Sequence, residues 1–372
     1  MKSIKVQLWY GLLGLGILLG LITLFRVFTT GFVLYAKTDI LVWTMPIAAY
    51  VFFSLTSSGL AFVSSIPVVF GIKRYQPIEK RTAFLELAVL VAAFSCLLLH
   101  LGSPWNAVYY IFSPNFNSPL WWLGMLYGVY FIVLLLSIWQ MHTANVSRTL
   151  GTMTFIIAIG TATVLGWLFG FPDARPVHNA NFLSIYFPLT GFASALAAVL
   201  LISLVYHHFS KKPLSQGDKN LYDDISVLFG IALAVTAIFF IWRTIVAGVS
   251  ASAIEFSGFR HMMSSGWYHL ALWVGLIAPL LLVALPSVRK ATWGKILASA
   301  LFLVGMFAGR LEMVLSGLVM PTGPKAEAQP PFVSYWPTVW EVFVFIFGIA
   351  LLLLIYTVGE RHLKLTTTSE SS

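Results

Sequence analysis

Charge is scarce in this sequence. Asp, Glu, Lys and Arg make up only 9% of the 372 residues, against roughly a quarter in ordinary soluble domains. Hydrophobic residues account for 59%, and the mean hydropathy is +0.89. Together these exclude a water-soluble globular fold. Cysteine is scarcer still: Cys96 stands alone inside an apolar run. The chain by itself therefore cannot build a disulfide framework, a cysteine-ligated iron–sulfur cluster or a thiolate zinc site. Any such cluster has to come from a partner. Internal repeats and low-complexity segments are not evident, and the connections between apolar runs are too short to hold a soluble domain. The net charge of +9 does not indicate nucleic acid, because the basic residues sit in short pairs between apolar runs rather than massed on one face or tail.

What the sequence does have is long uncharged runs. Counting histidine as neutral, they cover residues 6–25, 40–72, 87–147, 149–172, 176–210, 225–242, 261–288, 296–309 and 342–359. The run 87–147 is too long for one crossing and carries a turn signal, Ser113-Pro114-Asn115-Phe116-Asn117-Ser118-Pro119, that divides it in two. The first run follows Lys2 and Lys5 and lacks a small-residue cleavage pattern, so it reads as a retained helix over 6–32. The run from 296 is interrupted by Arg310, yet the apolar pattern continues to about Val319, which predicts an intramembrane arginine. Fifteen of the 22 Lys and Arg lie in alternate connections at one end, Lys73, Arg74, Lys80, Arg148 and Lys211 among them, and five at the other. The first side is expected to be cytoplasmic and to carry both termini. The expected fold class is an all-α integral membrane bundle of about ten transmembrane helices, one polytopic domain over 1–372 with a short polar tail over 360–372.

An ionisable side chain in hydrocarbon is costly and is by default a functional hypothesis, with structural pairing as the alternative. Here such groups crowd the non-cytoplasmic end. Asp39 precedes the second helix, His100 ends the third, and Arg243 lies near the outer end of the seventh. Glu255, Arg260, His261 and His269 surround the start of the eighth. Arg310 and Glu312 fall in the outer half of the ninth, and Glu341 begins the tenth. The cytoplasmic half offers hydroxyls such as Ser57, Ser58, Ser64 and Ser65, with no buried carboxylate expected there. That argues against a secondary transporter, whose site would lie near the midplane with a relay to both faces. His100 and His269 are the candidates for a di-haem b-type anchor, but both fall at helix ends rather than facing each other inside the bundle. The remaining histidines, His142, His207, His208 and His362, read as interfacial. Tryptophans and tyrosines read mostly as interface belt and packing.

Particular strings carry a resemblance. His100-Leu101-Gly102-Ser103-Pro104-Trp105 and the following Ser113 to Trp122 segment, then Asp173-Ala174-Arg175-Pro176-Val177-His178-Asn179 leading to Tyr186-Phe187-Pro188-Leu189-Thr190-Gly191, resemble the NrfD/PsrC-like family of membrane subunits of polysulfide reductase-type enzymes. Arg310-Leu311-Glu312 and Tyr335-Trp336-Pro337-Thr338-Val339-Trp340-Glu341 resemble its longer members, including the membrane subunit of a periplasmic nickel–iron hydrogenase. The resemblance runs over about 40–345.

It implies a quinone-reactive anchor in a bacterial cytoplasmic (inner) membrane, with no haem or iron–sulfur cluster of its own. The anchor would exchange electrons between menaquinone or ubiquinone and a periplasmic four-cluster iron–sulfur ferredoxin-like subunit. That partner would be joined to a molybdopterin enzyme, a hydrogenase or a multihaem cytochrome. Quinone chemistry moves two electrons and two protons, so the site needs hydrogen-bonding groups at two carbonyls and an apolar slot for the tail. The resemblance places Tyr50 where members carry a hydrogen-bonding side chain, and His100 where many carry an acidic residue. Members follow that residue with glycine and arginine; this chain has Gly102 and Ser103. Tyr50, His100 and Asp39 are the expected proton-handling groups. Thr163 and Trp167 flank Val164, which stands where some members have a tyrosine. Arg175 and Asn179 match the loop pattern. Arg243 and Arg310 are expected to orient the site or to neutralise Glu312 and Glu341.

Overall fold

The structure is a computed structural model that describes residues 4–143, 147–170, 182–210, 214–250, 253–321, 329–363 and 365. Among these there is no strand, and ten helices are long and apolar enough to cross a membrane. They are α1 (Ile4–Thr30), α2 (Met45–Phe70), α3 (Gln76–Leu98), α4 (Pro119–Thr143), α5 (Arg148–Gly170), α6 (Leu183–Ser210), α7 (Gln216–Ser250), α8 (Gly266–Ala284), α9 (Thr292–Ser316) and α10 (Val339–His362). The protein is thus an all-α integral membrane bundle, as its hydropathy predicts.

Two helices begin earlier than the uncharged runs suggest, and the reason is side-chain pairing. Helix α3 starts at Gln76 with Pro77 in its first turn, where a missing N–H costs nothing. It therefore takes in Glu79, Lys80, Arg81 and Glu86. Arg81 is buried because it is matched by Glu360 of α10. Helix α7 likewise begins at Gln216, and its Asp223 and Asp224 pair with Lys295 and Arg74. These pairs collect at one end of the bundle, the basic face.

The helices pack as two groups of four. In the first, α2, α3, α4 and α5 surround one another; in the second, α6, α7, α8 and α9 do the same. The groups meet along α2, α6 and α9. The closest approach is between α2 and α6: a Cβ added to Gly59 would lie 2.0 Å from the carbonyl oxygen of Gly191. Small residues let helix backbones touch in this way, which in hydrocarbon replaces the missing hydrophobic drive. Gly275 of α8 and Gly305 of α9 make a second such contact, inside a π-helical stretch of α8 (Leu270–Ile277). Helix α10 lies against α3 and α2, with Phe345 stacked between Phe53 and Phe307. Helix α1 packs on α10 and turns its leucines outward.

Candidate functional site

At the face opposite the basic one, the connection after α1, the start of α2, the end of α3 and the start of α10 are tied together by polar groups. Thr338 and Glu341 form a capping box: the Thr338 hydroxyl accepts from the Glu341 amide at 3.3 Å, and the Glu341 carboxylate accepts from the Thr338 amide at 2.7 Å. Glu341 is completely buried. Lys37 approaches it, donates to the His100 carbonyl at 3.3 Å, and lies over the Phe32 ring at 4.3 Å. The Tyr35 hydroxyl donates to the Leu99 carbonyl at 2.9 Å, and the Tyr335 hydroxyl accepts from the Met45 amide at 3.0 Å. His100 is buried, and its Nδ1 has no partner among the described residues.

The electrostatics of this cluster follow from burial. Desolvation, helped by the Lys37 charge, pushes His100 down to about 3. The imidazole is therefore neutral at ordinary pH and serves as a hydrogen-bonding group rather than a charge carrier. Burial lowers Lys37 to about 8, with Glu341 opposing the shift. Burial and the nearby Glu341 push the phenols of Tyr35 and Tyr335 up.

Beneath the cluster a column of tyrosines leads into the first four-helix group. Tyr50 of α2 is buried with its ring 6.3 Å from that of Tyr127 on α4, which is 6.2 Å from Tyr130. The Tyr130 hydroxyl donates to Glu86 at 2.7 Å, and Ser64 donates to the other carboxylate oxygen at 3.0 Å. Glu86 is fully buried. The expectation that the basic half holds no buried carboxylate is therefore corrected. In the sequence Glu86 borders an uncharged run and looks like its end, but α3 begins ten residues earlier. The signal that locates it is Gln76-Pro77, a helix-start pattern.

A third group lies between the helices of the second four-helix group. Arg243 of α7 is 3.9 Å from Glu312 of α9 and donates to the Met262 sulfur at 2.8 Å. Arg310 is buried, donates to the Thr190 hydroxyl of α6, and lies over the Phe187 ring at 4.7 Å. These residues, with Tyr186, Tyr268 and the glycine contact of α8 and α9, line a cavity. The idea that the arginines neutralise both acids holds only for Glu312; the cation facing Glu341 is Lys37.

The structure thus brings His100, Glu341 and the start of α2 together, sets Tyr50 below them, and puts Arg243 and Arg310 in a separate cavity. Asp39 lies exposed on the Thr38–Leu41 turn. Thr163 and Trp167 are half-buried on α5, whereas the residue of that helix facing Ser58 is Thr161, at 3.1 Å. Arg175 and Asn179 lie outside the described residues. Lys37, Tyr127, Tyr130 and Glu86 escaped the sequence reading. His100 and His269 belong to different four-helix groups, and His269 is exposed.

An all-helical bundle whose polar side chains converge at one face and continue into its core defines a multi-pass integral membrane protein with a polar site on its membrane border. The profile of the family described as "Polysulphide reductase, NrfD" matches residues 33–322, from just after α1 to just before α10. The chain belongs to the NrfD family. It is 25% identical to a putative dimethyl sulfoxide reductase membrane subunit of Halobacterium salinarum, over 96% of this chain and 91% of that protein. It is 25% identical to the Hdr-like menaquinol oxidoreductase integral membrane subunit of Archaeoglobus fulgidus, over 86% of this chain and 84% of that one. With one of the polysulfide reductase chains of Wolinella succinogenes it shares 26% identity, over 74% of its own length and 94% of the relative.

Proposed function

We propose that the protein is the quinone-reactive membrane anchor of a respiratory oxidoreductase complex, exchanging electrons and protons between the quinone pool and an iron–sulfur partner. The observation that carries this reading is the convergence of Lys37, His100 and Glu341 on the start of α2, above the buried Tyr50 and Tyr127. A quinone headgroup needs donors at two carbonyls inside an apolar wall, and the unpartnered buried Nδ1 of His100 fits such a need. Tyr50 and His100 serve the carbonyls, with Lys37 and Glu341 setting the local charge. Trp43 and Phe169, rings 5.4 Å apart, supply apolar wall nearby, and Thr163 and Trp167 line the tail. Arg175 and Asn179, with the exposed Asp39, belong to the surface on which the partner sits. Arg243 and Arg310 act in their own cavity rather than at this headgroup.

The names of the relatives support the reading, since one is a menaquinol oxidoreductase subunit and others belong to reductases. The distribution of Lys and Arg supports a site face on the periplasmic side of a bacterial cytoplasmic membrane. The partner is then a periplasmic iron–sulfur subunit joined to the catalytic one.

The test is purification of the protein with its neighbours, iron analysis, and labelling with a photoreactive quinone analogue. Co-purifying iron–sulfur protein and quinol-competed labels on α2 and α3 are expected. A cluster-free protein that moves a solute across vesicles, or labelling that quinol does not compete, sinks the proposal.

A further inference from the structure

Glu86 has no place in the quinone reading, yet it is the most deeply placed carboxylic acid in the first four-helix group. Ten residues into α3 puts it about 15 Å from the start of that helix, near the middle of a membrane crossing. Its oxygens accept from neutral groups, Tyr130 at 2.7 Å and Ser64 at 3.0 Å, and no cation pairs with it among the described residues. A carboxyl kept at such depth without a counter-charge is expected to be a group that holds and passes a proton.

What surrounds it makes a path. Toward the site face, the Tyr130 hydroxyl is 3.3 Å from Ser57 Oγ. Ser58 and Thr161, 3.1 Å apart, then lead past Tyr127 to Tyr50. Toward the basic face, Glu86 and Ser64 line a small cavity with Ser65, Ser137 and Thr154. The hydroxyls of Ser137 and Thr154 are 3.1 Å apart, and Thr154 lies within two turns of the start of α5 at Arg148. Hydroxyls and a carboxyl therefore succeed one another from below Tyr50 to the basic ends of α2, α4 and α5. The second four-helix group has Arg310 and Glu312 instead, toward its opposite end.

We propose that Glu86 carries protons between the basic face and the Tyr50 end of the column, so that quinone turnover moves charge across the membrane. The proposal rests on the quinone reading above. Reduction of one quinone takes two electrons from the iron–sulfur partner on the site face and two protons; if those protons arrive through Glu86, each turnover separates charge, and quinol oxidation reverses it.

The experiment uses the complete complex in liposomes, with quinone reduction, membrane potential (a voltage-sensitive dye) and quinone-analogue labelling followed together. In Glu86→Gln, which keeps the acceptor but cannot carry the proton, potential formed per electron is expected to fall at least about tenfold. Labelling should stay unchanged. Glu86→Asp is expected to restore part of the potential, and Tyr130→Phe to lose it while keeping the ring, which separates proton passage from folding. Full potential per electron in Glu86→Gln overturns the proposal. A wild-type complex that reduces quinone without any potential also overturns it and leaves the quinone reading standing. Loss of quinone labelling in the wild type overturns both.

Discussion

Replacing Gly59 by Ala tests the packing that holds the two four-helix groups together. The added methyl would fall 2.0 Å from the Gly191 carbonyl oxygen and 2.3 Å from its carbon, about 1.4 Å inside ordinary contact at the closer atom. Both obstacles are backbone atoms of α6, so no side chain can rotate away and α2 has to move. In an exposed helix, Gly→Ala is stabilising by about 1 kcal/mol. Overpacking of a tight site costs about 1–3 kcal/mol, and a backbone obstacle puts Gly59 at the upper end, for a net loss of about 1–2 kcal/mol. The matched control is Gly128→Ala on α4, exposed and with nothing within 4 Å of the new methyl. Thermal unfolding in detergent, followed by intrinsic fluorescence, is expected to show Gly59→Ala melting several degrees below the parent and Gly128→Ala at or above it. A Gly59→Ala protein as stable as the control would refute the claim that the α2–α6 backbone contact sets the group-to-group spacing.

Three further outcomes are expected. Lys37 loses its proton at about 8 in the folded protein against 10.5 ordinarily. Between those values the unfolded chain binds more protons, so stability rises with pH; the melting difference between the parent and Lys37→Met should move in the parent's favour from pH 8 to 10.5, and a flat difference contradicts the burial of Lys37. Arg243→Met leaves Glu312 buried without its partner and should cost about 3 kcal/mol. Adding Glu312→Gln should recover most of it, whereas simple additivity in a double-mutant cycle would show the pair is not coupled. Tyr50→Phe and His100→Ala should each weaken binding of a quinone analogue about tenfold by titration, the loss of one well-placed hydrogen bond. Unchanged affinity in both would move the headgroup elsewhere.

The sequence made the ten crossings and the intramembrane Arg310 legible because hydrocarbon imposes length and apolarity on each helix separately. It showed on the same ground that ionisable groups gather at one end. Glu86 was hidden because a charge at the edge of an apolar run reads as the boundary, and only the partners on other helices, Tyr130 and Ser64, reveal it as interior. Tyr127 and Tyr130 were lost among aromatics assigned to the interface belt. The separation of Arg243 and Arg310 from His100 was equally invisible, since it depends on which helices meet. That choice is made by contacts such as Gly59 on Gly191 and Gly275 on Gly305, where no side chain exists to signal a partner.

Helices α1 and α10 run antiparallel: Trp9 meets Thr357 and Tyr10 lies under Arg361 at one end, and Arg26 lies over Trp340 at the other. Neither belongs to the segment that matches the family profile. An eight-helix segment alone would begin and finish on the face bearing His100 and Lys37, leaving two loose strands of chain over it. The flanking pair carries both strands through the bilayer to the far surface. The mouth of the bundle is thereby cleared, and a large companion protein can settle on it without having to push aside the ends of its own anchor.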